Sequence, residues 1–244
     1  MHTTISHAVS ALTLVAALAC TATDTPGTVA DSGTGEGRLE IPNAVVAQTS
    51  LVRMVNAIPD ANGLSVTSDD RSVFSGVDYK AVTQYQEVDE TIARFRLLGS
   101  GRDTTIATNN EILIDGSRYT VIALPESNGG VRLRVLKDEL EADSGKARLR
   151  VVHALSNIGE IDVMLSGRAD PLFDNVNNGS EAGFADVDAA NSTITVRSND
   201  GKQLIRRQMK LDSGHAYTMV LTSTEVGKVD AITIVDRAPS DSAR

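Results

Sequence analysis

The sequence predicts an all-β protein: two tandem immunoglobulin-like β-sandwich domains after a signal peptide and a flexible linker. Three observations predict this class: a phrase near residue 50 that returns mid-chain, short runs of apolar–polar alternation, and turn signals at intervals of about 8 to 12 residues. The phrase is Leu51-Val52-Arg53-Met54-Val55-Asn56-Ala57, and it comes back as Leu149-Arg150-Val151-Val152-His153-Ala154. Adding 97 to a residue number carries Arg53 to Arg150 and Leu64 to Ile161. The offset is 99 for Phe74 and Phe173 and for Val88 and Val187, then 98 for Gly116-x-x-Tyr119 and Gly214-x-x-Tyr217. Shifts this small, falling in turn-like stretches, are what two copies of one β fold produce.

The strands announce themselves by a period of two. Val131-Arg132-Leu133-Arg134-Val135, Ala147-Arg148-Leu149-Arg150-Val151 and Thr193-Ile194-Thr195-Val196-Arg197 each put apolar side chains on one face and polar ones on the other. Asp69-Asp70, Gly99-Ser100-Gly101, Asp115-Gly116, Asn128-Gly129-Gly130, Asn178-Gly179 and Asn199-Asp200-Gly201 punctuate them. No long amphipathic helical pattern interrupts the series. Gly116-x-x-Tyr119 and Gly214-x-x-Tyr217 each follow one expected strand and lead into an apolar one. A tyrosine so placed buries its ring and bonds its hydroxyl to nearby backbone, in the manner of a tyrosine corner.

The chain has 244 residues, 41% hydrophobic and 3% aromatic, with a net charge of −9 and a single cysteine. The length suits about two domains. An acidic surface repels phosphate backbones, so nucleic acid is excluded as an expected partner. The expected organisation is a signal peptide over 1–20, a linker over 21–49, a first sandwich over 50–142, a second over 143–238 and a tail over 239–244.

Val9 to Ala19 is an uncharged run of signal-peptide length, too short to span a bilayer. Cys20 follows it directly, and Ala17-Leu18-Ala19-Cys20 resembles the lipobox of bacterial lipoproteins. That resemblance implies a cysteine lipidated at its thiol and a membrane anchor of two or three acyl chains. Ala17-Leu18-Ala19 equally satisfies the small-x-small rule for ordinary secretory cleavage, so periplasmic or secreted release stays open. Without a second cysteine the chain forms no internal disulfide. Residues 21–49, rich in Thr, Gly, Ser and Asp, read as a flexible tether.

Leu51 to Ala61, the Leu64-Ser65-Val66 that follows, and the closing Gly-x-x-Tyr-Thr together resemble the domain of unknown function 4397. Members open with a Val-Arg-Val-Val-His-Ala-Ser-Pro-Asp-like phrase and occur, often in tandem, in secreted and surface-anchored bacterial proteins. Here Asn56 stands where the family usually has His, while His153 keeps it. The resemblance implies a fold and brings no activity.

Catalytic chemistry is sparsely represented. His153 and His215 have Asn56 and Arg118 as counterparts in the first copy, which excludes a repeated histidine centre. No Gly-x-Ser-x-Gly elbow and no zinc-ligand spacing is present. Asp89 and Asp188 occupy matching places, and a pair of acids within about 5 to 10 Å could serve glycoside hydrolysis. The oxygen-rich stretch Asp174 to Glu181 has a valine where an EF-hand needs a ligand, so it reads as a turn. Arg94, Arg96, Arg132, Arg134, Arg148 and Arg150 could join into a basic strip for a polyanionic glycan.

The sequence thus points to an exported, lipid-anchored protein of the cell envelope or surface, a non-catalytic binding module with no cofactor. Its expected partners are the membrane, through Cys20, and an envelope protein or polyanionic glycan. The alternative is an envelope hydrolase or carbohydrate-active enzyme using Asp188, His153 or His215.

Overall fold

The structure, a computed structural model, describes residues 49–101, 103–224 and 227–237. The expected signal run Val9 to Ala19, Cys20, all of the linker but Thr49, and the tail lie outside the described residues. Those described belong to one compact unit, Val45–Arg244. Every regular element among them is a strand.

The first eight strands are β1 (Ser50–Asn56), β2 (Leu64–Ser68), β3 (Arg71–Val77), β4 (Gln86–Val88), β5 (Ile92–Leu98), β6 (Thr105–Ile112), β7 (Arg118–Pro125) and β8 (Val131–Lys137). They form two four-stranded sheets, ordered β4-β1-β7-β8 and β3-β2-β5-β6. The next eight are β9 (Lys146–His153), β10 (Ile161–Leu165), β11 (Phe173–Val176), β12 (Glu181–Asp188), β13 (Asn191–Ser198), β14 (Gln203–Lys210), β15 (His215–Ser223) and β16 (Val229–Arg237). Their sheets run β12-β9-β15-β16 and β11-β10-β13-β14, the same order eight strands later. The protein is therefore all-β, with four sheets in two sandwich-like units. β1 lies parallel to β7 and β9 parallel to β15, while their other neighbours are antiparallel.

Local chemistry explains the turns. Asp69 and Asp70 both take positive φ, 42° and 73°, which is the two-residue hairpin geometry that matches strand twist, and they close β2 onto β3 at the Ser68–Arg71 pair. Aspartate tolerates this region better than most residues because its short polar side chain bonds locally.

Each sandwich fills its interior from alternate positions. Val52, Met54, Phe95, Leu97, Tyr119 and Val121 lie in the first core; Leu149, Val151, Ile194, Val196, Tyr217 and Met219 lie in the second. A third apolar layer unites Val55, Ala57, Ile122, Leu124 and Leu136 with Val152, Ala154, Val220, Ile232 and Ile234. These side chains come from the outward faces of the β1 and β9 sheets. The two sandwiches thus meet sheet to sheet across a buried layer. Burial on both faces explains why Tyr119 to Leu124 is an unbroken apolar-rich run with every residue inside.

Candidate functional site

The site that most distinguishes this chain lies at the seam between the sandwiches. Arg53 on β1 and Arg150 on β9 are 3% and 2% exposed, although alternation would put both guanidinium groups in water. Burying two guanidinium groups is unfavourable unless carboxylates and further hydrogen bonds compensate. Both kinds of partner are present.

The Arg53 Nε donates to Thr120 Oγ1 at 2.9 Å, and its two terminal nitrogens donate to Asp236 at 2.8 and 2.7 Å. The Arg150 Nε donates to Thr218 Oγ1 at 2.9 Å, one terminal nitrogen reaches the Lys137 carbonyl at 3.0 Å, and the other binds Asp138. Each arginine therefore reaches an aspartate of the other sandwich. Asp138 and Asp236 differ by 98 in number and occupy equivalent places. A reciprocal exchange of this kind is the pattern of an isologous interface.

The two halves are unequal. Asp138, with a fully buried side chain, also accepts from Thr120 at 2.7 Å and from the Tyr85 hydroxyl at 2.7 Å, and Arg53 approaches it at 3.5 Å. Asp236 is 12% exposed and has no such phenol beside it, because Phe184 stands where the first sandwich has Tyr85. The arginine planes lie over these rings, Arg53 at 4.7 Å from the Tyr85 centroid and Arg150 at 4.5 Å from that of Phe184. Burial and then the Asp138 carboxylate raise the Tyr85 phenol well above its ordinary range, so it stays protonated and keeps donating.

Further bonds tie the seam. Lys80 Nζ meets Asp230 at 2.8 Å, Thr222 Oγ1 donates to the Ala57 carbonyl at 2.9 Å, and the Tyr79 hydroxyl donates to the Ser223 carbonyl. Gly179 has a φ of 72°, and a Cβ there would fall 3.1 Å from Arg132 Nη1 of the first sandwich. The positive φ favours glycine there, and a larger residue would also push the Arg132 guanidinium aside. Beside the network opens a groove of about 480 Å³ whose lining includes Arg118, Lys137, Arg148, Asp138, Glu139 and Glu141. Its charges are mixed: Arg118, Lys137 and Arg148 stand with Glu139 and Glu141, beside the buried Asp138.

The Ile114 N–H donates to the Tyr119 hydroxyl at 2.9 Å and the Asp212 N–H to that of Tyr217 at 2.9 Å. Gly116 and Gly214, at φ 69° and 73°, direct their N–H groups to the carbonyls of Thr49 and Lys146, at 2.9 and 2.8 Å. Each Gly-x-x-Tyr thus ties the loop before its strand to the start of the sandwich.

His153 is fully buried: its Nδ1 accepts from Leu155 N at 3.2 Å and Nε2 bonds the Gly159 carbonyl at 2.6 Å. That pattern needs the neutral Nε2–H tautomer, and burial lowers the pKa accordingly. Asn56 does the same work in the first sandwich, its Oδ1 accepting from Ile58 N at 3.0 Å and its Nδ2 donating to Ala61 O at 2.6 Å. Both side chains hold the turn after the first strand.

The groups weighed for hydrolysis do not converge. Asp188 is exposed and pairs with Lys146 at 2.6 Å, at the opposite end of β9 from His153. Lys146 and His153 are the two ends of this 8-residue strand, about 23 Å apart. His215 Nδ1 lies 3.1 Å from the Ser213 carbonyl, within its own turn. Asp89 pairs with Arg71 in the other sandwich. In the Asp174–Glu181 stretch, Asn178 Nδ2 donates to Leu155 O at 2.6 Å, and the nearby Asp162 carboxyl raises the Asp174 pKa.

The six strand arginines do not form a strip. Arg150 is in the buried network; Arg96, Arg132, Arg134 and Arg148 pair with Asp70, Glu126, Glu181 and both Glu139 and Asp186. Arg150 is therefore no part of an exposed basic strip: its side chain is buried against the other sandwich. The same fact hid Arg53, whose one sequence signal was its recurrence as Arg150.

No curated protein matches the chain in sequence. Among solved structures, one similar chain is a family 26 carbohydrate-binding module of Eubacterium rectale in complex with maltoheptaose, at TM-score 0.24 and 11% identity, covering 80% of this chain and 99% of that one. Another is a Bacteroides uniformis protein described as a cell adhesion protein, at TM-score 0.28 and 12% identity, covering 78% of this chain and 97% of that one. In sequence, residues 50–164 match the family described as Domain of unknown function (DUF4397).

Proposed function

We propose that the chain is an exported, lipid-anchored protein of the cell envelope or surface, and that its two copies of one sandwich act together as a non-catalytic binding module for a protein partner. The observation that carries this reading is the seam. Ten buried apolar residues and a reciprocal Arg–Asp exchange hold the sandwiches in one register, and a groove of mixed charge opens along the join. A rigid composite surface of this kind lowers the ordering cost of binding. Export and anchoring are supported by the Val9 to Ala19 run and by Cys20 directly behind it.

The test is cross-linked capture from intact envelopes of the native host, comparing wild type, Cys20→Ser, and Glu139→Lys/Glu141→Lys in the groove. Expected are a discrete cross-linked protein with wild type, its loss on charge reversal, and release of Cys20→Ser from the membrane fraction. Cys20→Ser fractionating as wild type does would overturn the anchor. Capture indifferent to charge reversal would overturn the groove. Turnover of a substrate by the purified chain, abolished by a single polar substitution, would overturn the non-catalytic reading.

A further inference from the structure

The outer sheet of the first sandwich ends on an edge strand that its counterpart in the second sandwich guards with charge. β6 has β5 as its ladder partner and forms one edge of the β3-β2-β5-β6 sheet; β14 holds the same place in the second sandwich. Such an edge offers a row of backbone donors and acceptors to any strand that reaches it, and proteins ordinarily blunt it with lysine, arginine, proline or a bulge. β14 is blunted in this way, by Arg206, Arg207 and Lys210. β6 is just as long, at 8 residues, yet its Thr-Ile-Ala-Thr-Asn-Asn-Glu-Ile has no lysine, arginine or proline, and its one charged residue, Glu111, is half-buried.

The two strands differ most at their middle. Arg207 donates to the Ala231 carbonyl at 3.1 Å and to Asp230 at 2.9 Å, within its own sandwich. Asn109 and Leu133 hold the places equivalent to Arg207 and Ala231, and the Asn109 Nδ2 donates to the Leu133 carbonyl at 3.2 Å. The shorter amide leaves its Oδ1 buried and without a hydrogen bond among the described residues. A buried acceptor of this kind is unfavourable until a donor reaches it. On the other face of β6, Ile106 and Ile112 are 42% and 65% exposed, and Ile92, the cross-strand partner of Ile112, is 67% exposed.

We infer that β6 pairs antiparallel with β6 of a second copy of this chain, joining two four-stranded sheets into one about a two-fold axis at Asn109. In that register Asn109 faces Asn109 of the second copy, Thr108 faces Asn110, Ala107 faces Glu111 and Ile106 faces Ile112. Facing residues lie on the same side of the sheet with Cβ atoms about 5 Å apart. The unused N–H of one Asn109 amide then meets the orphaned oxygen of the other, and Ile106 completes an apolar row with Ile112 and Ile92. No like charges meet, because Glu111 faces alanine. Complementarity of the strand to itself at every position is what an isologous contact requires, and it favours a second copy over an unrelated strand. β14 paired with itself in the same register would set Arg207 against Arg207. None of the residues lining the seam groove belongs to the β6 sheet, so the contact is separate from the proposed binding surface and gives a dimer two grooves.

The test is analytical ultracentrifugation of the full chain carrying Cys20→Ser, from about 1 to 100 µM. Expected is a dimer that dissociates on dilution. Asn109→Arg copies the second sandwich, where the fold accepts Arg207, so an unchanged thermal transition is expected, while arginines facing each other at the axis should weaken the dimer roughly tenfold or more. Cysteine cross-linking in the same background, which has no other cysteine, reads the register. A mixture of Thr108→Cys and Asn110→Cys chains should oxidise to a disulfide-linked dimer and neither chain alone should, because position 108 faces 110 and not 108. A chain that stays monomeric throughout this range would overturn the inference. So would a dimer indifferent to Asn109→Arg, or single-cysteine chains that cross-link as well alone as mixed, since either places the contact elsewhere. A monomer whose β6 amides gain protection from hydrogen exchange only on adding host envelope extract would overturn it in favour of a foreign strand.

Discussion

Asp138→Ala probes the seam most directly. Its carboxylate is the only one bound to Arg150 among the described residues, and it also takes the Tyr85 and Thr120 hydroxyls and lies 3.5 Å from Arg53. Removing it leaves a buried guanidinium with one carbonyl and one hydroxyl as partners. Breaking a buried ion pair from one side costs about 3–5 kcal/mol. For a cooperative unit of this size that corresponds to a fall in Tm of about 6–20 °C, at 2–4 °C per kcal/mol. Asp236→Ala should cost less, because Asp236 is 12% exposed and Arg53 keeps Asp138 nearby. Urea unfolding and calorimetry measure both, and Arg150→Met in each background measures the coupling: it should cost less once Asp138 is gone. The reasoning is refuted if Asp138→Ala costs under about 1 kcal/mol, if Asp236→Ala costs as much, or if wild type already unfolds in two separate transitions.

Two further predictions concern the turns and loops. Burial lowers the folded-state pKa of His153, so the folded chain binds fewer protons than the unfolded one as pH falls below about 6.5. Stability should be complete above that pH, decline below it and level off once the folded imidazole also titrates; His153→Asn, copying Asn56, should remove this component when urea midpoints at pH 7.5 and 5.5 are compared. Tyr217→Phe keeps the buried ring but removes the acceptor of the Asp212 N–H, and should cost about 0.5–1.5 kcal/mol in urea unfolding, with Tyr119→Phe costing the same through Ile114.

The sequence by itself determined the features that period two and local backbone chemistry dictate. Alternation specifies which side chains of β8 and β13 face inward, Asp69-Asp70 suits the positive φ of a two-residue hairpin, and each Gly-x-x-Tyr places its tyrosine hydroxyl five positions from the N–H it accepts. Histidine is harder to read from its position in a strand. A buried neutral imidazole bonding its own turn and a catalytic one look alike as a letter, and Asn56 in the matching place was the only hint of the former.

Tertiary structure decided the seam. Alternation tells one face of a strand from the other but not whether the second face meets water or another sheet, so Arg150 was indistinguishable from Arg148 in its run. The unbroken apolar-rich run from Tyr119 to Leu124, without alternation, was the available signal that both faces are covered. Nothing local could announce that Arg53 pairs with Asp236, 183 residues away. Such a bond exists because desolvation of the guanidinium must be compensated by a carboxylate at that point in space, and where the chain brings one is settled only when the sheets pack.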